Sequence, residues 1–173
     1  MKLAMYIGAT ALLVCATTQA VSAPAPAPPV AAGSDQQKLV GTWRLTRYEN
    51  TSKDGKTEKP YGEHPLGYFT YDATGHLSIH IMRNPPLPPF ASGDKATDGE
   101  KLKAYDAYVG YFGTYRVDES NHVLHHQVEG ALDTTYTNTD QLRPYRLSGD
   151  TLVIELDAAK TGTHFYRELH RVR

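Results

Sequence analysis

Thiol chemistry is nearly absent from this chain. Cys15 is the single cysteine among 173 residues, and it falls in an N-terminal stretch that reads as a removable leader. The mature part then has none, which excludes disulfides, a catalytic thiol and thiolate metal ligands. Neither sign of charge is in excess: 18 Lys and Arg against 19 Asp and Glu give a formal net charge of −1. No basic block stands out, so nucleic acid is not an expected partner. Tryptophan occurs once, at Trp43. A serine hydrolase would need a Gly-x-Ser-x-Gly elbow, and a zincin would need His-Glu-x-x-His; neither is present, and Glu168-Leu169-His170 is not that motif. No repeat of solenoid period is visible, and no membrane span is expected.

The leader itself is organised. Met1-Lys2 gives a short positive start, and Leu3 to Val14 carries no charge. Thr18-Gln19-Ala20 places small residues at the −3 and −1 positions of a signal-peptidase cut. Residues 1–20 are therefore read as a signal peptide, and the protein as exported, periplasmic or secreted. Val14 is bulky where a lipobox wants a small residue, so lipoprotein anchoring at Cys15 is not expected. Residues 21–36 form a Pro/Ala-rich linker with a polyproline bias. Residues 37–173 remain as one domain of roughly 135 residues, large enough to be held by its own core.

Within that domain, alternating apolar and polar residues bounded by turn residues predict eight strands. They are 41–50, 66–71, 76–82, 111–117, 122–129, 141–147, 151–156 and 163–172. Asp72-Ala73-Thr74-Gly75, Asp118-Glu119-Ser120-Asn121 and Ser148-Gly149-Asp150 read as tight hairpin turns. Arg83 to Ser92 is Pro-rich and cannot sit in a ladder. Asp98 to Val109 has helical spacing, with Leu102, Tyr105 and Val109 on one face. The fold expected is all-β: an eight-stranded up-and-down antiparallel barrel, which removes sheet edges, with one short helix near the mouth. Short and long connections alternate, so one end is closed by tight turns. The other carries the 50–65 loop, the Pro-rich segment with its helix, and the 130–140 and 157–162 loops.

The order of short motifs carries a resemblance. Leu39-Val40-Gly41-Thr42-Trp43-Arg44-Leu45 begins it, and Pro60-Tyr61-Gly62-Glu63 and Leu66-Gly67-Tyr68-Phe69-Thr70-Tyr71-Asp72 continue it. Tyr111-Phe112-Gly113-Thr114-Tyr115, His125-His126-Gln127-Val128-Glu129-Gly130 and Asp140-Gln141-Leu142-Arg143 follow. Together these resemble the lipocalin-like domain family of small microbial proteins. The resemblance implies a calycin-type barrel over about residues 38 to 173, and no single established activity. It also implies that Trp43 packs at the closed end beneath an arginine from near the C-terminus, Arg171 or Arg173, in a cation–π contact worth ~1 kcal/mol.

Anchoring each strand at its closed end gives an expected facing, because interior and exterior residues alternate. Trp43 and Leu45 inward would carry Arg47 and Glu49 inward nearer the mouth. Tyr111 and Tyr115 share a face with Val117, His126 shares one with Leu124, and Arg143 shares one with Leu147. Strand 76–82 is ambiguous: either Leu77, Ile79 and Ile81 fill the barrel, or His80 and Met82 line it. The reading adopted puts His80 and Met82 inside. The expected ligand wall is thus Arg47, Glu49, Tyr68, His80, Met82, Tyr111, Tyr115, His126 and Arg143, capped by Phe90 and Tyr108. An apolar pocket with a few convergent polar groups is the usual form of a small-ligand site. The alternative is a filled barrel tied by Arg47–Glu49 and Arg143 ion pairs.

The expected function is binding of a small apolar or amphipathic molecule, by a monomer or weak homodimer. The alternative is an isomerase or cyclase, with His126 and Tyr115 as acid–base pair and Arg143 stabilising an enolate-like charge. Eight histidines invite a metal reading. A His80/His126/His164 set or an axial haem ligand is geometrically conceivable, but no ligand spacing supports either. No metal or cofactor is assigned.

Overall fold

The computed structural model describes residues 33–91, 93 and 95–173. The expected signal peptide and most of the expected linker lie outside these residues. The expected linker–domain border at 36/37 falls inside a short helix, α1 (Asp35–Leu39). Ser34 caps it, its hydroxyl accepting from the Gln37 amide at 3.2 Å.

Nine strands follow: β1 (Gly41–Thr51), β2 (Thr57–Glu58), β3 (Leu66–Tyr71), β4 (His76–Met82), β5 (Tyr108–Asp118), β6 (Val123–Ala131), β7 (Thr139–Ser148), β8 (Thr151–Asp157) and β9 (His164–Arg171). Helix α2 (Asp98–Asp106) lies between β4 and β5. Every pairing is antiparallel, and β9 pairs back to β1 over Trp43↔Arg171 to Thr51↔His164, closing the barrel. The two-residue β2 only extends the β3 side of β1 beyond Arg44. The eight longer strands are those expected from alternation, in the expected up-and-down order.

Two irregularities matter for what faces inward. The β1–β9 register shifts between Leu45 and Arg47, and the β5–β6 register shifts between Phe112 and Gly113. Each places an extra residue opposite one partner, which reverses side-chain facing beyond it.

The half of the barrel at the tight turns is solid. Trp43, Leu45, Tyr71, Leu77, Tyr115, Leu124, Leu152 and Leu169 are buried there, and α1 closes the end with Leu39. Trp43 Nε1 donates to the Leu39 carbonyl at 2.8 Å. Arg171 stands 4.2 Å over the Trp43 ring, the arginine–tryptophan contact implied by the resemblance, and its Nη1 donates to the Val40 carbonyl at 2.9 Å.

Helix α2 is shorter than its spacing suggested. Its N-terminus is set by a capping box between Thr97 and Glu100. Leu102 and Tyr105 are exposed, and Val109 has passed into β5. The expected apolar stripe is not a packing face: the helix touches the Pro-rich segment through Glu100, whose Oε1 accepts from the Ala91 amide at 2.9 Å.

Candidate functional site

The mouth half of the barrel is hollow. A cavity of about 360 Å³ opens there, lined by residues of β1, β3, β4, β5, β7, β8 and β9 and of the 132–138 loop. That is the small end of the range for small-molecule sites, roughly 300–1,000 Å³. Part of its wall is apolar: Phe69, Ile79, Ile81, Val109, Ile154 and Leu156. The rest is aromatic and polar: Tyr48, Tyr111, Tyr136 and Phe165 with Asp133, Gln141 and the two cations Arg143 and Arg167.

His126 sits beneath this cavity, fully buried. Its ring nitrogens contact two tyrosine hydroxyls: Nε2 to Tyr71 at 3.1 Å and Nδ1 to Tyr111 at 3.0 Å. A neutral imidazole has one donor and one acceptor nitrogen, and this pair of partners uses both. Burial, with repulsion from Arg143 and His125 adding to it, lowers the His126 pKa to about 3. Burial likewise pushes the Tyr111 hydroxyl up to about 12 and the Tyr71 hydroxyl well above its usual value. The layer is a neutral, satisfied hydrogen-bond set that forms the cavity floor.

The expected catalytic pair does not assemble. Tyr115 faces inward, but its hydroxyl donates to the Asp72 carbonyl at 2.8 Å, at the closed-end turn. It packs edge-on against Tyr71 at 5.0 Å and makes no hydrogen bond to His126.

Arg143, on β7, lines the cavity. It donates from Nη1 to the Leu142 carbonyl at 3.1 Å and from Nη2 to Gln141 Oε1 at 3.2 Å. Its guanidinium stands 6.0 Å from the Tyr136 ring. Arg167, on β9, reaches across the seam to β1. Its Nη1 donates to the Glu49 carbonyl at 2.6 Å and its Nη2 to Asn50 Oδ1 at 2.9 Å. It stacks 3.2 Å over the Tyr48 ring. Burial draws its pKa down, and repulsion from Arg143 adds to this. Among the described residues, neither arginine has a carboxylate within ion-pair distance.

Several expected wall residues lie elsewhere. The bulge after Leu45 turns Arg47 and Glu49 outward and brings Tyr48 in. Arg47 and Glu49 do pair, at 2.9 Å, but on the outer surface beside Lys59 and Glu168. Tyr68 is also outside, its hydroxyl accepting from Arg44 Nη1 at 3.1 Å. On β4 the apolar set Leu77, Ile79 and Ile81 fills the interior, so His80 and Met82 face out. The reason is hydrophobic burial: three aliphatic side chains gain more from the core than a histidine does. His80 instead bonds Tyr108 through Nδ1 at 2.6 Å. Met82, Phe90 and Tyr108 line a separate surface groove of about 760 Å³ between the Pro-rich segment and α2. His80, His126 and His164 do not converge, since His80 is outside and His164 bonds Asp157 at 2.8 Å. Among the described residues no group of three His, Cys, Asp or Glu side chains is placed to hold a metal ion.

Sequence reasoning missed Tyr48, Tyr136, Phe165 and Arg167. Phe165 and Arg167 were recoverable, because Leu169 at the closed end sets the parity of β9. Tyr136 lies in a loop, where no periodicity applies.

A redesigned β-barrel matches over 80% of this chain and 95% of its own length, at 14% identity and a TM-score of 0.40. No curated protein matches. A profile of the lipocalin-like domain, a fold associated with small-ligand binding, matches residues 40–169. From Val40 at the floor to Leu169 in the closing strand, the chain belongs to the lipocalin-like domain family.

Proposed function

We propose that this protein is an exported binding barrel that holds one small apolar or amphipathic molecule in its mouth half. The carrying observation is the split interior: a packed lower half beneath a hollow of about 360 Å³ with an apolar wall. A barrel that needed only a core would fill both halves, since unfilled apolar space forfeits packing energy. The family supports the same reading, in that lipocalin-like domains are associated with ligand binding. Export rests on the leader, with cleavage after Ala20, and the barrel acts as a monomer or weak homodimer.

Native mass spectrometry of the protein purified from its own host tests both parts. The expected spectrum shows a chain beginning at Val21 with a non-covalent adduct that is lost on denaturation. A chain that retains its leader would overturn export. A bare chain that also takes up no hydrophobic probe would overturn ligand binding.

A further inference from the structure

We infer that the molecule held in this cavity is an organic acid, with one carboxylate seated between Arg143 and Arg167 and its apolar body against the aliphatic wall. The inference rests on the binding reading above and adds the charge and orientation of the ligand.

Arginine can enter a protein interior when an anion or a full set of acceptors compensates it. Here two guanidiniums line one small cavity, and each receives only neutral acceptors among the described residues. Arg167 makes three hydrogen bonds, to the carbonyls of Glu49 and Tyr166 and to the Asn50 side chain. Arg143 makes two. A guanidinium has five N–H donors, so both keep donors unspent.

The nearby carboxylates pair with neither arginine. Glu49 is turned outward to Arg47 and Lys59. Asp133 lines the same cavity, but its Oδ1 accepts from the Thr135 amide at 2.9 Å and hydroxyl at 2.7 Å, and it forms no ion pair with either arginine. Mutual repulsion between the two arginines is thus left standing in the empty protein, and one bound anion removes it. Planar guanidinium forks match a carboxylate; the Arg167 fork is stacked over Tyr48, and Arg143 stands 6.0 Å from the Tyr136 ring. The aliphatic part of the wall, with Ile79, Ile81, Ile154 and Leu156, offers no polar partner to a second charge. One acid group on an apolar body is the complement.

The test is calorimetric titration at pH 7 with octanoate, 1-octanol and octylammonium, three probes of one chain length and different charge. Octanoate is expected to saturate the protein at one equivalent, about tenfold or more tighter than octanol, with octylammonium not binding. Arg143→Gln and Arg167→Gln should each weaken octanoate by roughly thirtyfold or more and leave octanol unchanged. Arg167→Gln also loses bonds across the seam, so Arg167→Lys, which keeps the charge, is its companion. Lys should restore part of the octanoate affinity if charge is what matters. Circular dichroism confirms that each variant is folded.

Equal binding of octanoate and octanol, or octanoate binding that survives both Gln variants, would overturn the anion while leaving the binding barrel intact. If none of the three probes binds, the anion and the binding reading fall together.

Discussion

His126 shows how far one residue's role depends on its surroundings. On a strand beside Tyr115 and Arg143 it looks like a general base. Enclosed between Tyr71 and Tyr111 it is a neutral strut, both nitrogens spent. The consequence is a pH effect of definite sign. Its folded pKa of about 3 lies below the ordinary 6.5, so on acidification the unfolded chain takes the proton first. The stability is fully present above pH 6.5 and is lost as pH falls toward 3, at about 1.4 kcal/mol per pH unit. His126→Gln keeps a donor and an acceptor but cannot titrate. Urea denaturation from pH 7 to pH 4.5 should show wild type losing stability along this slope and the variant losing much less. Identical acid limbs in the two proteins would mean that another group takes up the proton.

The elements were the most legible level, and their defects the least. Strands β3 to β9 could be placed from alternation, because a half-buried strand must repeat with period two. The three tight turns were marked by Gly, Asp, Asn and Ser. The facing of β1 beyond Leu45 was not legible, because no residue announces its bulge: Thr46 is an ordinary strand residue whose hydroxyl happens to reach the Glu168 carbonyl at 3.1 Å. That one offset moved two expected ligand contacts to the surface and hid Tyr48. On β4, two faces of mixed polarity left the choice open, and only packing decides such a case. The second bulge is better defended. A Cβ at Gly113 would lie 2.0 Å from the Gln127 carbonyl oxygen and 2.9 Å from the Glu129 nitrogen, both backbone atoms. Gly113→Ala should cost about 2 kcal/mol or more, as the β5–β6 ladder must open to admit a methyl. Gly99→Ala in α2, where nothing lies within 4 Å, should be neutral or stabilising by up to about 1 kcal/mol. Parallel denaturation curves of the two variants provide the contrast; equal costs would show that crowding at the bulge is relieved cheaply.

For the whole molecule, the barrel is one object with two jobs at opposite ends. The floor end carries the solid core and fixes the fold. The mouth end gives up packing for space, and it places two like charges together. A ligand that fills the space and neutralises the charge should therefore return stability to the entire barrel, since Arg167 also ties β9 to β1 at the closing seam. Octanoate at a hundred times its dissociation constant should add about 2.7 kcal/mol, read as a rise in Tm by differential scanning calorimetry. A Tm unchanged at saturation would mean that the folded and unfolded chains bind it alike.

Both ends of the barrel domain are stitched together at its closed end. The Val172 amide donates to the Thr42 carbonyl at 2.8 Å, and Arg171 reaches the carbonyls of Lys38 and Val40. Whatever precedes Gly33 therefore joins the barrel at the end remote from its opening. A tether attached on either side, natural or added, points the aperture away from the surface it is fixed to. Immobilised on a sensor chip through either terminus, the protein should present its cavity to the flowing solution.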